Sequence, residues 1–259
     1  MPHFQHPDGT HFDILCEDGP VLAVNKPAGV ISQGAPKGVL SLSDYVKEYL
    51  RIKYEKPGNV YLGVIHRLDR PVTGVSLFSR NSKCAARLSE QFRLREVSKH
   101  YLALVESTQL PIEGRLEHWL RKIPDQPRGE VVAQSHSQAK FASLRYQTLM
   151  QHQGRTLVWV TLETGRMHQV RLQFSAIGAP LAGDTMYGGK RGGGHSRDEE
   201  LAIALHAARL SLWHPVRYEP ISVDAPIPAT WKQWGLQKNR VNELMPAPEP
   251  PPARKSPKK

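Results

Sequence analysis

Val64-Ile65-His66-Arg67-Leu68-Asp69-Arg70-Pro71-Val72-Thr73-Gly74 sets His66, Arg67, Asp69 and Arg70 between an apolar pair and a β-branched pair. Charges flanked so closely by core-forming residues are expensive to hold in a fold unless they pair or carry chemistry. Asp69 is the centre of this cluster. Taken alone, the segment leaves two readings open: Asp69 caps a turn before Pro71, or it is a functional acid. Val75 and Leu77 continue as a strand candidate, so the acid sits on the loop that enters that strand.

Working outward, residues 1–11 are polar, contain three His and read as a flexible lead-in. Ile14-Leu15-Cys16 and Val21-Leu22-Ala23-Val24 flank the turn Glu17-Asp18-Gly19-Pro20, the pattern of two strands across a tight connection. Ser43 is placed as the N-cap of a helix from Asp44 to about Lys53, with Tyr45, Val46, Tyr49 and Leu50 on its apolar side. Asn81 or Ser82 caps a second helix, in which Ala85, Leu88 and Phe92 recur at spacings of three and four. The other faces of that helix are basic: Arg80, Lys83, Arg87, Arg93, Arg95 and Lys99 stand against Glu90 and Glu96. Tyr101 to Val105 and Leu157 to Leu162 read as buried strands. Gly188 to Ser196 is expected as a mobile surface loop, and it lacks the residue order of a phosphate loop. Residues 242–259, dominated by Pro and Lys, are expected to be a disordered tail. The irregular alternation of strands and helices predicts an α+β fold.

A second cluster, Thr164-Gly165-Arg166-Met167-His168-Gln169-Val170-Arg171-Leu172, lies at the predicted start of a helix near Arg166. Val170, Phe174 and Ile177 share one face, while His168, Arg171 and Ser175 share another. Gly178 and Pro180 supply the stop. An Arg presented inward by this helix could pair with Asp69 and keep its carboxylate ionised. Spacing alone leaves equally open a solvated basic face made of Arg166, His168 and Arg171.

The 259 residues carry 35 Lys and Arg against 24 Asp and Glu, a formal charge of +11. That sign fits a polyanionic partner such as RNA or DNA, or a basic protein kept soluble by its charge. No stretch approaches the apolar length of a membrane span, and the first ten residues contain no signal-peptide core. The two cysteines, Cys16 and Cys84, form no disulfide or zinc pattern. The expectation is a cytoplasmic monomer with no membrane association. The twelve His include no H-x-x-x-H pair, so no metal site is expected. A glycosidase needs two carboxylates about the scissile bond; the available second acid, Asp184, sits in a Gly-Asp-Thr turn and reads as a cap.

His66 to Gly74 resembles the H-R-L-D-x-x-T-S-G signature of RluA-type RNA pseudouridine synthases. Further matches follow in the family's order: Asn25-Lys26-Pro27-Ala28-Gly29, Lys99-His100-Tyr101, Gly165 to Leu172, and Gly183-Asp184-Thr185-Met186-Tyr187-Gly188. The resemblance implies one pseudouridine-synthase-like catalytic domain over 12–236, with a mixed, mainly antiparallel central sheet flanked by helices. It implies an isomerase that needs no cofactor and acts on uridine in tRNA or rRNA. Asp69 would be the catalytic aspartate, Arg171 its salt-bridge partner, and Tyr101 the aromatic packed on the uracil. Arg67 would fill the gap left by the flipped base, and Lys26, Arg166 and His168 would contact the RNA. Two features depart from the pattern. Val72 stands where the family carries a hydroxyl, which is expected to alter local packing. No basic RNA-binding module precedes Asn25, so target choice is expected from the catalytic domain or the tail. The alternative is a non-catalytic RNA-binding or RNA-remodelling protein on the same fold, which would need neither a buried acid nor its partner.

Overall fold

β-Branched and aromatic runs become strands, and capped amphipathic runs become helices. The computed structural model describes residues 2–194 and 196–255. In chain order the elements are β1 (His3–Gln5), β2 (His11–Asp18), β3 (Val21–Lys26), α1 (Leu42–Lys53), β4 (Gly63–Val64), β5 (Thr73–Ser79), α2 (Ser82–Leu94), β6 (Ser98–Val105), β7 (Glu113–Lys122), β8 (Gly129–Val132), β9 (Lys140–His152), β10 (Arg155–Leu162), α3 (Gln169–Ala176), α4 (Arg197–Leu201), β11 (Leu205–Trp213), β12 (Pro220–Asp224) and α5 (Lys238–Leu244). The fold is α+β with mainly antiparallel strand pairing, as the sequence predicts. The chain forms two compact units, Met1–Ser98 with Ala207–Pro228 and Ala247–Lys259, and Lys99–His206 with Ala229–Pro246.

In the first unit the strands run in the order β1-β2-β3-β5-β11, with β4 beside β5 and β12 beside β11. Strand β3 is buried on both faces. Leu22 and Val24 join Tyr45, Val46, Tyr49 and Leu50 of α1, together with Phe78 of β5. Val21 and Ala23 join Leu88 of α2 with Val75, Leu77, Leu210 and Leu212. Two covered faces explain why β3 reads as an unbroken apolar run rather than an alternation. The register sets Lys26 opposite Gly74, so the end of β3 abuts the loop that leads into β5.

Both predicted caps of this unit can be compared with the structure. Asn81 accepts the Cys84 N–H at 2.8 Å and starts α2 as expected. Helix α1 begins earlier than expected: the Asp44 carboxylate accepts the Ser41 N–H (2.9 Å) and hydroxyl (2.6 Å), which makes Ser41, not Ser43, the cap. The N-terminal lead-in also differs from its expectation. β1 pairs with β2, and Phe4 packs against Phe12 and Tyr49 at ring-centroid distances of 5.2 and 5.9 Å. The tail differs too. α5 covers the start of the segment expected to be disordered, Pro251 is buried, and the Trp213 indole N–H donates to the Pro252 carbonyl at 2.9 Å. His195 of the glycine loop and 256–259 of the tail lie outside the described residues.

In the second unit the order is β6-β10-β9-β7-β8, and α3 is buried almost all round, from Gln169 to Phe174. Its two glutamines are spent on strand carbonyls. Gln173 donates to Leu116 (2.8 Å) and Ala142 (3.2 Å), and Gln169 to Ser143 (3.0 Å). The helix starts three residues later than predicted. The Gln169 side-chain oxygen accepts from the Thr164 hydroxyl (2.7 Å) and the Arg166 N–H (3.0 Å), and His168 sits at φ 53°, so 164–168 close a turn instead of a first helical turn. The C-terminal stop is as read: Gly178 has φ 74°, Gly178 N–H donates to Ser175 and Ala179 N–H to Phe174.

Candidate active site

The charged loop of the first unit is stitched to the chain after β3 through its backbone. Lys26 is 0% exposed, and its ammonium donates to the carbonyls of Pro27 (2.9 Å), Arg70 (3.0 Å) and Val72 (2.8 Å). Ser32, also buried, donates its hydroxyl to the Leu68 carbonyl (2.6 Å) and accepts the Leu68 N–H (3.1 Å). Gly29 N–H donates to the Arg70 carbonyl, and Arg70 Nε returns to the Gly29 carbonyl, both at 2.9 Å. Residues 68, 70 and 72 are therefore fixed one after another, with half-buried Asp69 held between two of them. A turn bond from Val72 N–H to the Asp69 carbonyl (3.1 Å) closes the segment. At the other end His66 accepts the Leu77 N–H at 3.1 Å and stacks on Phe92 of α2, with ring centroids 5.2 Å apart.

Electrostatics follow from that burial. Desolvation pushes the Lys26 ammonium down from its ordinary value to about 7, the nearby Asp69 charge works against this, and Arg70 adds to it. All three ammonium protons are spent on carbonyls, so Lys26 has none to offer a phosphate. The expectation that it contacts RNA is corrected: a motif lysine at a strand end reads as a phosphate ligand, but the register turns it into the pin of the Asp69 loop. Arg67 and Arg70 are exposed on that loop. Gly74 is required where the loop becomes β5. Its φ is 114°, and a Cβ there would stand 2.2 Å from the Ala207 carbonyl oxygen of β11.

The second unit holds Tyr101, Arg166, His168 and Arg171. Tyr101 lies half-buried on β6, opposite Val160. Arg171 is 3% exposed and forms a two-pronged pair with Asp184, Nε to Oδ2 at 2.6 Å and Nη2 to Oδ1 at 2.8 Å. Its guanidinium carbon also lies 4.9 Å from the centre of the Tyr187 ring. The solvated-face reading of Arg171 is thereby excluded. Asp184, which the sequence offered only as a cap, opens the short 3₁₀ turn Thr185–Tyr187 and anchors Arg171 as well. The Tyr187 hydroxyl meets His168 Nδ1 at 2.7 Å and accepts the Gly129 N–H at 2.9 Å, and burial raises the pKa of that phenol. Arg166 is half-buried and donates from Nε to the Phe141 carbonyl at 2.9 Å.

Of the residues singled out from sequence, the first unit sets Arg67 and Asp69 on one loop that Lys26 holds from the end of β3. The second gathers His168 and Arg171 around Tyr187. Sequence reasoning missed Ser32 and Gln169, and the only local trace of either is a polar residue inside an otherwise apolar or glycine-flanked stretch. Among the described residues no group of three His, Cys, Asp or Glu could hold a metal ion.

The family model described as RNA pseudouridylate synthase matches residues 20–176. The chain is 31% identical over 224 residues to ribosomal large subunit pseudouridine synthase D of Yersinia pestis, a match covering 82% of this chain and 66% of that protein. It is 30% identical over 242 residues to tRNA pseudouridine synthase C of Haemophilus ducreyi, covering 85% and 93%. Among solved structures it resembles human RNA pseudouridylate synthase domain containing 4, with TM-score 0.70, 23% identity and coverage of 86% of this chain and 93% of that one. That last likeness concerns the fold.

Proposed function

This chain belongs to the RNA pseudouridylate synthase family, and from that premise we propose that it isomerises uridine to pseudouridine within RNA. One observation carries the reading. The acid of the H-R-L-D segment is neither a solvent-exposed cap nor a buried core residue; it sits half-buried on a loop whose neighbouring backbone groups are pinned by Lys26, Ser32 and Gly29. Fixing a reactive group in this way is how a fold preorganises chemistry before substrate arrives.

Residues 12–236 form the catalytic region in this reading, and Asp69, Tyr101 and Arg171 carry the reaction. The N1 glycosidic bond breaks, the uracil turns, and it rejoins the ribose through C5; the C5 proton is lost and N1 takes up a proton, so the product is an isomer. Because the target base must leave its stack to be reached, exposed Arg67 is assigned to the vacated space, and Arg166 and His168 to the RNA strand. The substrate is ribosomal or transfer RNA and the setting is the cytoplasm, with a monomer acting; the basic charge supports an RNA partner and the sparse cysteines a reducing compartment.

The test is pseudouridine mapping in total RNA after incubation with the purified full chain, alongside Asp69→Asn. Wild type should form pseudouridine and Asp69→Asn should form none, with RNA affinity changed less than a few-fold because phosphate contacts supply most of the binding. Turnover by the variant would remove Asp69 from its role. RNA binding by the wild type without pseudouridine formation would mean a non-catalytic RNA-binding protein.

A further inference from the structure

The basic face of α2 and the proline-rich C-terminal segment are both left unused by the reaction, and the first unit joins them. Glu96 is 3% exposed, and its carboxylate accepts the Lys255 backbone N–H at 2.6 Å. A buried carboxylate without a donor is costly, so this bond gives the segment a reason to dock. Pro251 is buried, and the Trp213 indole N–H donates to the Pro252 carbonyl at 2.9 Å. Trp213 is itself fixed by Gln91 of α2, which accepts its backbone N–H (2.9 Å) and donates to its carbonyl (2.7 Å). An indole N–H on a carbonyl of an extended proline run is a low-entropy way to hold such a chain.

Docking decides where the charges go. The Arg254 guanidinium carbon lies 4.2 Å from the centre of the Tyr218 ring, and that of Arg87 of α2 lies 5.8 Å from the same ring. Lys83 stands one turn before Arg87, and Arg95 directly precedes Glu96. Arg93 is neutralised by Glu90 on the helix surface. Arg254 therefore shares the Tyr218 ring with Arg87, and Lys255 is held by its backbone to Glu96, next in sequence to Arg95, so that docking adds the charges of the strap to the basic helix α2.

We propose that residues 247–255 are a docked strap completing a phosphate-binding strip on α2, and that this strip takes the backbone of RNA away from the target nucleotide. The proposal rests on the RNA reading above. It differs from a loose polycationic tail in one respect: its contribution depends on the docking as well as on the charge.

The experiment measures the salt dependence of binding of a fluorescein-labelled, uridine-rich RNA oligonucleotide to the full chain. Three proteins are compared: wild type, Arg254→Ala/Lys255→Ala, and Pro251→Gly/Pro252→Gly with Trp213→Phe, which loosens the strap without changing charge. Losing two phosphate contacts should lower the magnitude of the log–log salt slope by about 1.4, and loosening the strap should lower it by a comparable amount. Melting temperature and isomerisation at saturating RNA confirm that each variant is folded. A reduced slope for the charge variant with an unchanged slope for the loosened strap would mean a flexible polycation and would overturn the proposal. Unchanged slopes in both would overturn it as well. Failure of the functional reading has a different signature, namely wild type that binds RNA and forms no pseudouridine.

Discussion

Asp184→Asn removes the charge that faces Arg171 while keeping side-chain volume. Both partners are almost fully enclosed, at 1% and 3% exposure, and joined by two bonds of 2.6 and 2.8 Å, so no solvent screens the loss. Breaking a buried pair from one side removes both charge-assisted bonds while the buried guanidinium stays, at a cost of about 3–5 kcal/mol. For a chain of this size each kcal/mol lowers the melting temperature by roughly 2–4 °C, so thermal unfolding should shift down by about 6–20 °C. Arg171→Met should cost a similar amount, because it strands the Asp184 carboxylate. The double variant should then be much less unstable than the two losses added, with a coupling of about 2 kcal/mol or more, since neither charge is left alone. Calorimetry or chemical denaturation of the four proteins measures this. Additive losses, or a shift below about 2 °C for Asp184→Asn, would show that Asp184 does not hold Arg171 and that the anchoring argument is wrong.

Gly74→Ala should destabilise by about 2–5 kcal/mol, combining a left-handed backbone with a methyl forced onto the Ala207 carbonyl; a denaturation midpoint within error of wild type would contradict the close approach. Ser32→Ala orphans the Leu68 N–H and carbonyl and should cost about 1–3 kcal/mol, lowering kcat for isomerisation more than it raises KM; an effect on KM alone would count against loop positioning. Lys26→Met is read through pH. Because the folded-state pKa is depressed to about 7 from an ordinary 10.5, the unfolded chain keeps a proton that the folded one sheds between those values. Wild-type stability should therefore rise with pH across about 7 to 10.5 relative to Lys26→Met, by up to about 1.4 kcal/mol per pH unit. Parallel stability curves for the two proteins would show that the ammonium stays charged when folded.

Local signals carried much of the fold. Helix α2 was legible because its cap and its three-and-four spacing lie in one window, and Asn81 does cap the Cys84 N–H. The turn at Gly19–Pro20 and strands β3, β6 and β10 were legible for the same reason. The strand β1 was not, since it is too short to show a period and Phe4 is also held by Tyr49 of α1, a partner far along the chain. Strands β7 to β9 escaped notice because charged residues interrupt their alternation. The motif residues were legible as a set, but the job of Lys26 was not. Its placement opposite Gly74 is a fact of register, and register turned an apparent RNA ligand into a buried support.

Lys26 and Asp184 share a logic that bears on why such residues persist. Each is a fully enclosed ionic group that touches a neighbour of the proposed chemistry rather than the chemistry itself: Lys26 holds the carbonyls of Arg70 and Val72, which follow Asp69, and Asp184 holds the guanidinium of Arg171. Enclosed charges are poor sources of stability, and apolar replacements of matching volume are often neutral or stabilising when both partners of a pair are exchanged. What an apolar pair cannot do is fix a guanidinium along two directions, or draw the carbonyls of residues 27, 70 and 72 onto one point. Stability and activity should therefore separate in the variant Arg171→Met/Asp184→Leu, which should melt within a few degrees of wild type and form no pseudouridine. A stable variant that retained turnover would mean that the ionic pair serves the fold alone, and the chemistry would have to be sought elsewhere.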